Sequence, residues 1–163
     1  MIRPVNIDDA EALLGIYNYY VEHSAVTFDL EPISLEAFKS KIALITANYP
    51  FIVFEDQNEI LGYAYGSQFR PRPAYRFTVE STVYVKHNVH GRQIGSKLYK
   101  VLLELLKEGG FHVVIGVLTL PNTASEKLHE RFGFRLVGHF KELGLKFDSW
   151  HDIGLYQLML QNY

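Results

Sequence analysis

The segment Glu80-Ser-Thr-Val-Tyr-Val-Lys-His-Asn-Val-His-Gly-Arg-Gln-Ile-Gly-Ser96 decides how this chain reads. Glu80 to Val85 is a β-branched strand that carries one carboxylate. A tight loop rich in small residues follows, and an amphipathic helix starts at once. That order places backbone N–H groups at a helix N-terminus, where they hold phosphate well. The carboxylate lies a short distance upstream, on the strand that feeds the loop. One segment therefore offers both an anchor for a phosphorylated cofactor and a base for chemistry.

Downstream, Ile94, Leu98, Val101, Leu102 and Leu105 form one apolar stripe over residues 92–108, and Gly109-Gly110 ends that helix. Val113 to Leu118 is an almost unbroken apolar strand, the pattern of a strand buried on both faces. Pro121 to Glu126 opens another helix, with proline in its first turn and Thr123 and Glu126 as a capping box. Arg135–Phe140 and Ile153–Leu160 read as closing strands. Upstream, Phe77–Val85 is a long strand, and Arg70-Pro-Arg-Pro73 interrupts the sheet because proline cannot donate to a ladder. Phe51–Glu55 and Ile60–Gly66 pair as a hairpin across a polar turn. Ser34 caps a helix that runs to about Asn48, after a loop over 25–32. Ile7, Ala10, Leu14, Tyr17 and Val21 mark an earlier helix, preceded by a short strand from Ile2 to Val5. These elements predict a mixed α+β fold around one sheet, as one domain over residues 1–163.

Composition narrows the function. Hydrophobic residues make up 48% of the 163, which is enough for a substantial core. The net charge of −2 lacks the basic footprint of a nucleic-acid binder. There is no cysteine, so disulfides, thiolate metal sites and a cysteine nucleophile are excluded. Met1-Ile-Arg-Pro-Val5 has no signal-peptide core, and no apolar run reaches bilayer length. A cytoplasmic protein without nucleic-acid or membrane partners is expected. His87 and His90 lie three apart and His112, His139 and His151 are scattered, so no metal site is expected.

Two features carry chemistry. Alternation puts Glu80 on one strand face with Thr78, Thr82 and Tyr84, and Val79, Ser81, Val83 and Val85 on the other. Glu80 reads either as a solvated or Arg76-paired residue, or as a general base whose pKa partial burial raises. The loop from His90 to Ser96 reads as a phosphate cradle, with Arg92 as a charged contact. Each hydrogen bond to a charged group contributes about 1.5–3 kcal/mol. It is not a Walker A loop, and its glycines do not fit a dinucleotide fingerprint.

His90-Gly-Arg-Gln-Ile-Gly95 resembles motif A of the GCN5-related N-acetyltransferases, which reads Arg/Gln-x-x-Gly-x-Gly/Ala and binds the pyrophosphate of acetyl-CoA. His90 replaces the usual Arg or Gln, and Gln93 replaces the first glycine. Asn122-x-x-Ser125 with Leu128-His-Glu-Arg-Phe-Gly-Phe134 is similar to motif B. Phe69-Arg-Pro-Arg-Pro-Ala-Tyr75, Thr78-Val-Glu-Ser-Thr-Val-Tyr-Val85, Leu120-Pro-Asn122 and Trp150-His-Asp152 resemble the phosphinothricin or methionine sulfoximine acetyltransferase branch.

The resemblance implies a mostly antiparallel sheet flanked by helices, with two strands splayed into a V that takes acetyl-CoA. Backbone groups of Val83, Tyr84 and Val85 would pair with pantetheine. Amides of Arg92, Gln93, Ile94, Gly95 and Ser96 would hold the pyrophosphate, beside His90 and Gly91. Asn122 would bond pantetheine or a water, with Ser125 close by; Asn122 is equally readable as a cap. Glu80 would be the base that frees the acceptor amine, and His129 stands where the family often has a tyrosine acid. His129 could equally pack or touch the cofactor, and Tyr84 could share either task. Arg72, Tyr75 and Lys146, with Glu80, would bind the acceptor, while Arg70 reads as solvated. The implied activity is acetylation of a small amino-acid analogue, in a detoxifying role, by a homodimer with Lys146 and Asp152 near its interface. Another amine acceptor, or a non-catalytic acyl-CoA sensor, are the alternatives.

Overall fold

The computed structural model describes residues 1–89 and 91–161. Its strands are β1 (Ile2–Pro4), β2 (Phe51–Asp56), β3 (Glu59–Gln68), β4 (Thr78–Val85), β5 (Val113–Leu120), β6 (Arg135–Lys146) and β7 (Ser149–Met159). Its helices are α1 (Ala10–His23), α2 (Leu35–Thr46), α3 (Ile94–Glu108) and α4 (Thr123–Arg131). The strands form one sheet in the order β1-β2-β3-β4-β5-β7-β6. Neighbours are antiparallel except β4 and β5, which run parallel.

The alternation read along β4 separates two cores. Val79 packs with Ile94, Leu98, Tyr99, Leu102 and Leu106 of α3 and with Val114 and Leu118 of β5. On the opposite face, Tyr63 and Tyr65 of β3 pack with Leu13, Ile16 and Tyr17 of α1 and Phe38 and Ile42 of α2, and Tyr84 lies against them. Glu80 shares this second face.

Several boundaries differ from the sequence reading. Ile7 lies in a 3-10 turn before α1 and is exposed, so the buried stripe of α1 is Ala10, Leu13, Ile16, Tyr17 and Val21. Asn122, not Thr123, caps α4: its Oδ1 accepts from the Ser125 N–H at 3.2 Å, and Glu126 Oε2 accepts the Asn122 N–H at 3.0 Å. Pro121 lies outside that helix. The largest difference is at the end of the chain. The closing strands, expected at Arg135–Phe140 and Ile153–Leu160, run further, and residues 141–152 form the far half of a long β6–β7 hairpin. It closes on Phe147 and Asp148, both left-handed (φ 52° and 54°), the two-residue turn that matches strand twist.

Candidate active site

β4 and β5 pair only from Thr78↔Val113 to Ser81↔Gly116, although β4 continues to Val85 and β5 to Leu120. Beyond Ser81 the two strands part. Lys86 donates its N–H to Leu61 O, so alternate β4 residues (Tyr84 and Thr82) turn their backbone groups to β3. The backbone groups of Val83 and Val85 therefore face the gap. The Val85 carbonyl accepts a bond from the Tyr20 hydroxyl. A cavity of about 520 Å³ fills the gap, and a second of about 340 Å³ adjoins it at the start of α3. The two share Val85, Gly95, Ala124 and Leu128.

The smaller cavity is the phosphate-sized end. Gly91, Gln93, Ile94, Gly95 and Ser96 line it. Gln93 caps α3 in the left-handed region (φ 56°, ψ 25°), and Gly91 also has positive φ (83°). Left-handed residues ahead of a helix turn successive N–H groups toward one point, which suits an anion. The position that departs from the motif's glycine is thus one where the backbone takes a glycine-like conformation. Arg92 is turned away: its guanidinium bonds Asp56 at 2.5 Å, and that pairing lowers the Asp56 pKa. His90 lies outside the described residues. Two cations that the sequence reading missed, Lys127 and Arg131, complete this end from α4, and Arg131 Nη1 reaches Ser96 Oγ at 3.2 Å. Their spacing of four along a helix was the signal available.

The larger cavity holds the chemistry-bearing groups. Glu80, Tyr84, Asn122, Ser125 and His129 all line it. Glu80 is half-buried and, among the described residues, accepts no side-chain hydrogen bond; burial raises its pKa and the Lys41 charge opposes the rise. Lys41 comes from α2, with its ammonium 5.3 Å from the Tyr17 ring centre and 5.4 Å from that of Tyr65. Tyr84 keeps its phenol protonated, because burial raises its pKa far above the usual range.

His129 is buried against Tyr99, Phe134 and Tyr156. Its Nδ1 donates to Ser125 O at 2.7 Å, so a neutral ring presents a lone pair at Nε2. Burial lowers its pKa, against the pull of that carbonyl. Nε2 lies over Gly116 of β5, where a Cβ would come within 2.6 Å; only glycine leaves room for the ring.

The remaining sequence-selected residues lie elsewhere. Arg72 and Tyr75 sit on the exposed β3–β4 connection and line neither cavity; Tyr75 packs edge-on to Phe69. Lys146 is 3% exposed and lies behind the cavity wall, donating to Thr27 O at 2.9 Å. Asp152 accepts from the Glu142 N–H and pairs with His139 at 2.7 Å. Tyr156 is in the core, whereas Phe147 and Trp150 are exposed. Among the described residues no group of three or more His, Asp or Glu side chains is placed to hold a metal ion, and no helix is long and apolar enough to cross a membrane.

Known proteins share this fold. Residues 2–155 match the acetyltransferase (GNAT) domain. A phosphinothricin N-acetyltransferase of Streptomyces viridochromogenes is 38% identical, over 96% of this chain and 85% of its own length. An L-methionine sulfoximine/L-methionine sulfone acetyltransferase of Pseudomonas paraeruginosa is 34% identical, over 98% of this chain and 94% of its own. The crystal structure of a phosphinothricin acetyltransferase from Sinorhizobium meliloti in complex with acetyl-CoA superposes with a TM-score of 0.94 at 32% identity, covering 98% of this chain and 87% of that one. The parted strands, the glycine-like turn ahead of α3 and these matches make the chain a member of the GNAT family, an N-acetyltransferase.

Proposed function

We propose that the protein transfers the acetyl group of acetyl-CoA to the α-amine of a small amino-acid analogue such as phosphinothricin or L-methionine sulfoximine. One observation carries this reading. A half-buried carboxylate without a hydrogen-bonded partner among the described residues, Glu80, lines the gap where β4 and β5 part, on the strand whose Val83 and Val85 backbone groups face that gap. The named activities of the relatives supply the acceptor class.

The donor set fits acetyl-CoA. Val83 and Val85 offer strand-like pairing for an amide-bearing arm, and the amides of Gln93 to Ser96 with Lys127 and Arg131 suit a pyrophosphate. Acetyl-CoA supplies an activated acetyl carbon whose C–S bond breaks as the new C–N bond forms, and the departing sulfur takes up a proton. An α-amino group has a pKa near ~8, so only about a tenth is free base at pH 7. Glu80 takes the ammonium proton, directly or through one water, and its raised pKa brings it nearer the working pH. Tyr84 lines the same cavity with its phenol protonated. His129 with its proton held at Ser125 O is a poor acid when neutral, so in this reading it shapes the cavity and water protonates the sulfur.

The protein acts as a homodimer in this reading. Leu143, Leu145, Phe147 and Trp150 on the β6–β7 hairpin are each more than half exposed, a patch that a second copy would cover. CoA release with a panel of acceptors tests the proposal. Turnover with methionine sulfoximine, methionine sulfone or phosphinothricin, but not with spermidine or a short peptide, is expected; turnover only with the latter pair sinks the acceptor class.

A further inference from the structure

Lys146 is buried, carries a charge and touches neither cavity, so its function needs another account. Its ammonium donates to the Thr27 carbonyl at 2.9 Å, 119 residues away in sequence. Thr27 and its neighbours Val26 and Phe28 line the larger cavity together with Glu80, Val117 and Ile153. The same segment is gripped from two sides. From α1, the Tyr17 hydroxyl meets Thr27 Oγ1 at 2.8 Å and donates to Asp29. From β6, Gly144 lies so close to the Phe28 ring that any Cβ there would overlap it, and His151 of β7 packs at 6.2 Å from the same ring. His151 Nε2 in turn bonds Lys146 O at 3.0 Å.

Resting on the proposed acceptor reading, we infer that Val26–Asp29 is the roof that sets acceptor size, and that Lys146 and Gly144 fix its height. Lys146 is then a positioning residue that acts through Thr27 without touching the acceptor. A lysine is suited to this. Its long stem spans from the sheet to the loop, and its ammonium satisfies a carbonyl that a tight roof would otherwise shut from water. Burial lowers the Lys146 pKa, and the nearby Asp29 charge opposes that. The roof and the facing wall present Val26, Phe28, Val117 and Ile153, and none of the cavity-lining residues is Lys or Arg. The slot therefore favours an acceptor with a compact, methyl-ended side chain.

The test compares the unmodified protein with Lys146→Met and Gly144→Ala, using L-methionine sulfone, its decarboxylated amine and L-tryptophan as acceptors. Lys146→Met is expected to raise the acceptor KM about tenfold, the size of one lost charge-assisted hydrogen bond. Sulfone and amine should suffer alike, tryptophan should be excluded less, and the acetyl-CoA KM should hold. Amide hydrogen exchange should quicken over residues 26–29 and stay unchanged over 91–96. A loss confined to the carboxylate-bearing acceptor means that Lys146 touches the acceptor and overturns the positioning role. Unchanged acceptor KM, or unchanged exchange over 26–29, overturns the roof. Should Lys146→Met lose its cooperative thermal transition, Gly144→Ala carries the test, because it displaces Phe28 from the other side. Absence of turnover by the unmodified protein with all three acceptors defeats the function proposed above, and exchange alone then decides whether Lys146 holds the segment.

Discussion

The two ends of the active site are built in opposite ways. The phosphate end is mostly local: Val83–Val85 and Gly91–Ser96 supply the free strand edge, the turn and the helix start, and among the described residues α4 adds Ala124, Lys127, Leu128 and Arg131 from further along. The acceptor end is assembled from distant pieces: Val26–Phe28, Glu80–Tyr84, Val117–Thr119 and Ile153, with Tyr17, Lys41 and Lys146 behind them. A local cradle uses backbone groups and tolerates change in side chains. An assembled pocket depends on side chains whose positions are set by several contacts each. Substitutions should therefore divide cleanly between donor binding and acceptor turnover, and the largest effects should fall at the assembled end.

Glu80→Gln is the strongest test of that division. Loss of a positioned base is expected to lower kcat about 10²–10⁴-fold while acetyl-CoA affinity, measured by calorimetry, stays put. The same variant should be more stable. Burial raises the folded-state pKa of Glu80, so the folded state binds its proton more tightly than the unfolded chain, and stability contributed by that proton is lost as pH rises through the folded pKa. At pH 8 the ionised carboxylate is a liability that Gln removes, and Tm should rise. An unchanged kcat would move the base elsewhere and break the comparison at its centre.

Arg131→Ala examines the other end. One phosphate-directed guanidinium should be worth about tenfold in the acetyl-CoA KM, with the effect shrinking at high salt and the acceptor KM untouched. A change in acceptor KM of similar size would show that the two ends are not separable.

Lys41→Met probes the electrostatics behind Glu80 with a smaller effect. Its ammonium sits over two tyrosine rings on the Glu80 face and opposes the upward shift that burial imposes. Without it the Glu80 pKa rises further, so the acid limb of the kcat/KM profile should move to higher pH. Activity should fall several-fold at pH 6 and change little at pH 9, while Lys41→Arg keeps the original limb. A limb that does not move removes Lys41 from the mechanism.

What the sequence revealed follows the same line between local and assembled. The alternation along 78–85 correctly separated the Glu80 face from the Val79 face, because period two survives in a strand packed on both sides. The stripe of α3 was equally plain. The β6–β7 hairpin beyond Phe140 was not, because irregularities between Leu136 and Gly138 and between Phe140 and Gly144 reset the alternation. As a result Leu143 and Leu145 are exposed while the charged Lys146 is buried, the reverse of what composition suggests. The roof was unreadable for a related reason: nothing in Ala25–Pro32 states that Lys146, more than a hundred residues on, will hold it.

The smallest expected effect lies in the local half, at Gln93. A side-chain-bearing residue in the left-handed region costs about 1–2 kcal/mol, and Gln93 meets that cost at the turn whose amides face the phosphate cavity. Glycine would remove the steric term but make the unfolded chain freer, so the net gain from Gln93→Gly should be about 1 kcal/mol or less. A Tm higher by a few degrees would follow for a chain of this size. Acetyl-CoA affinity should change little, because the turn already holds the geometry that glycine would adopt. A loss of affinity on substitution would mean that the Gln93 side chain itself binds the donor, and that this cradle is not made of backbone alone.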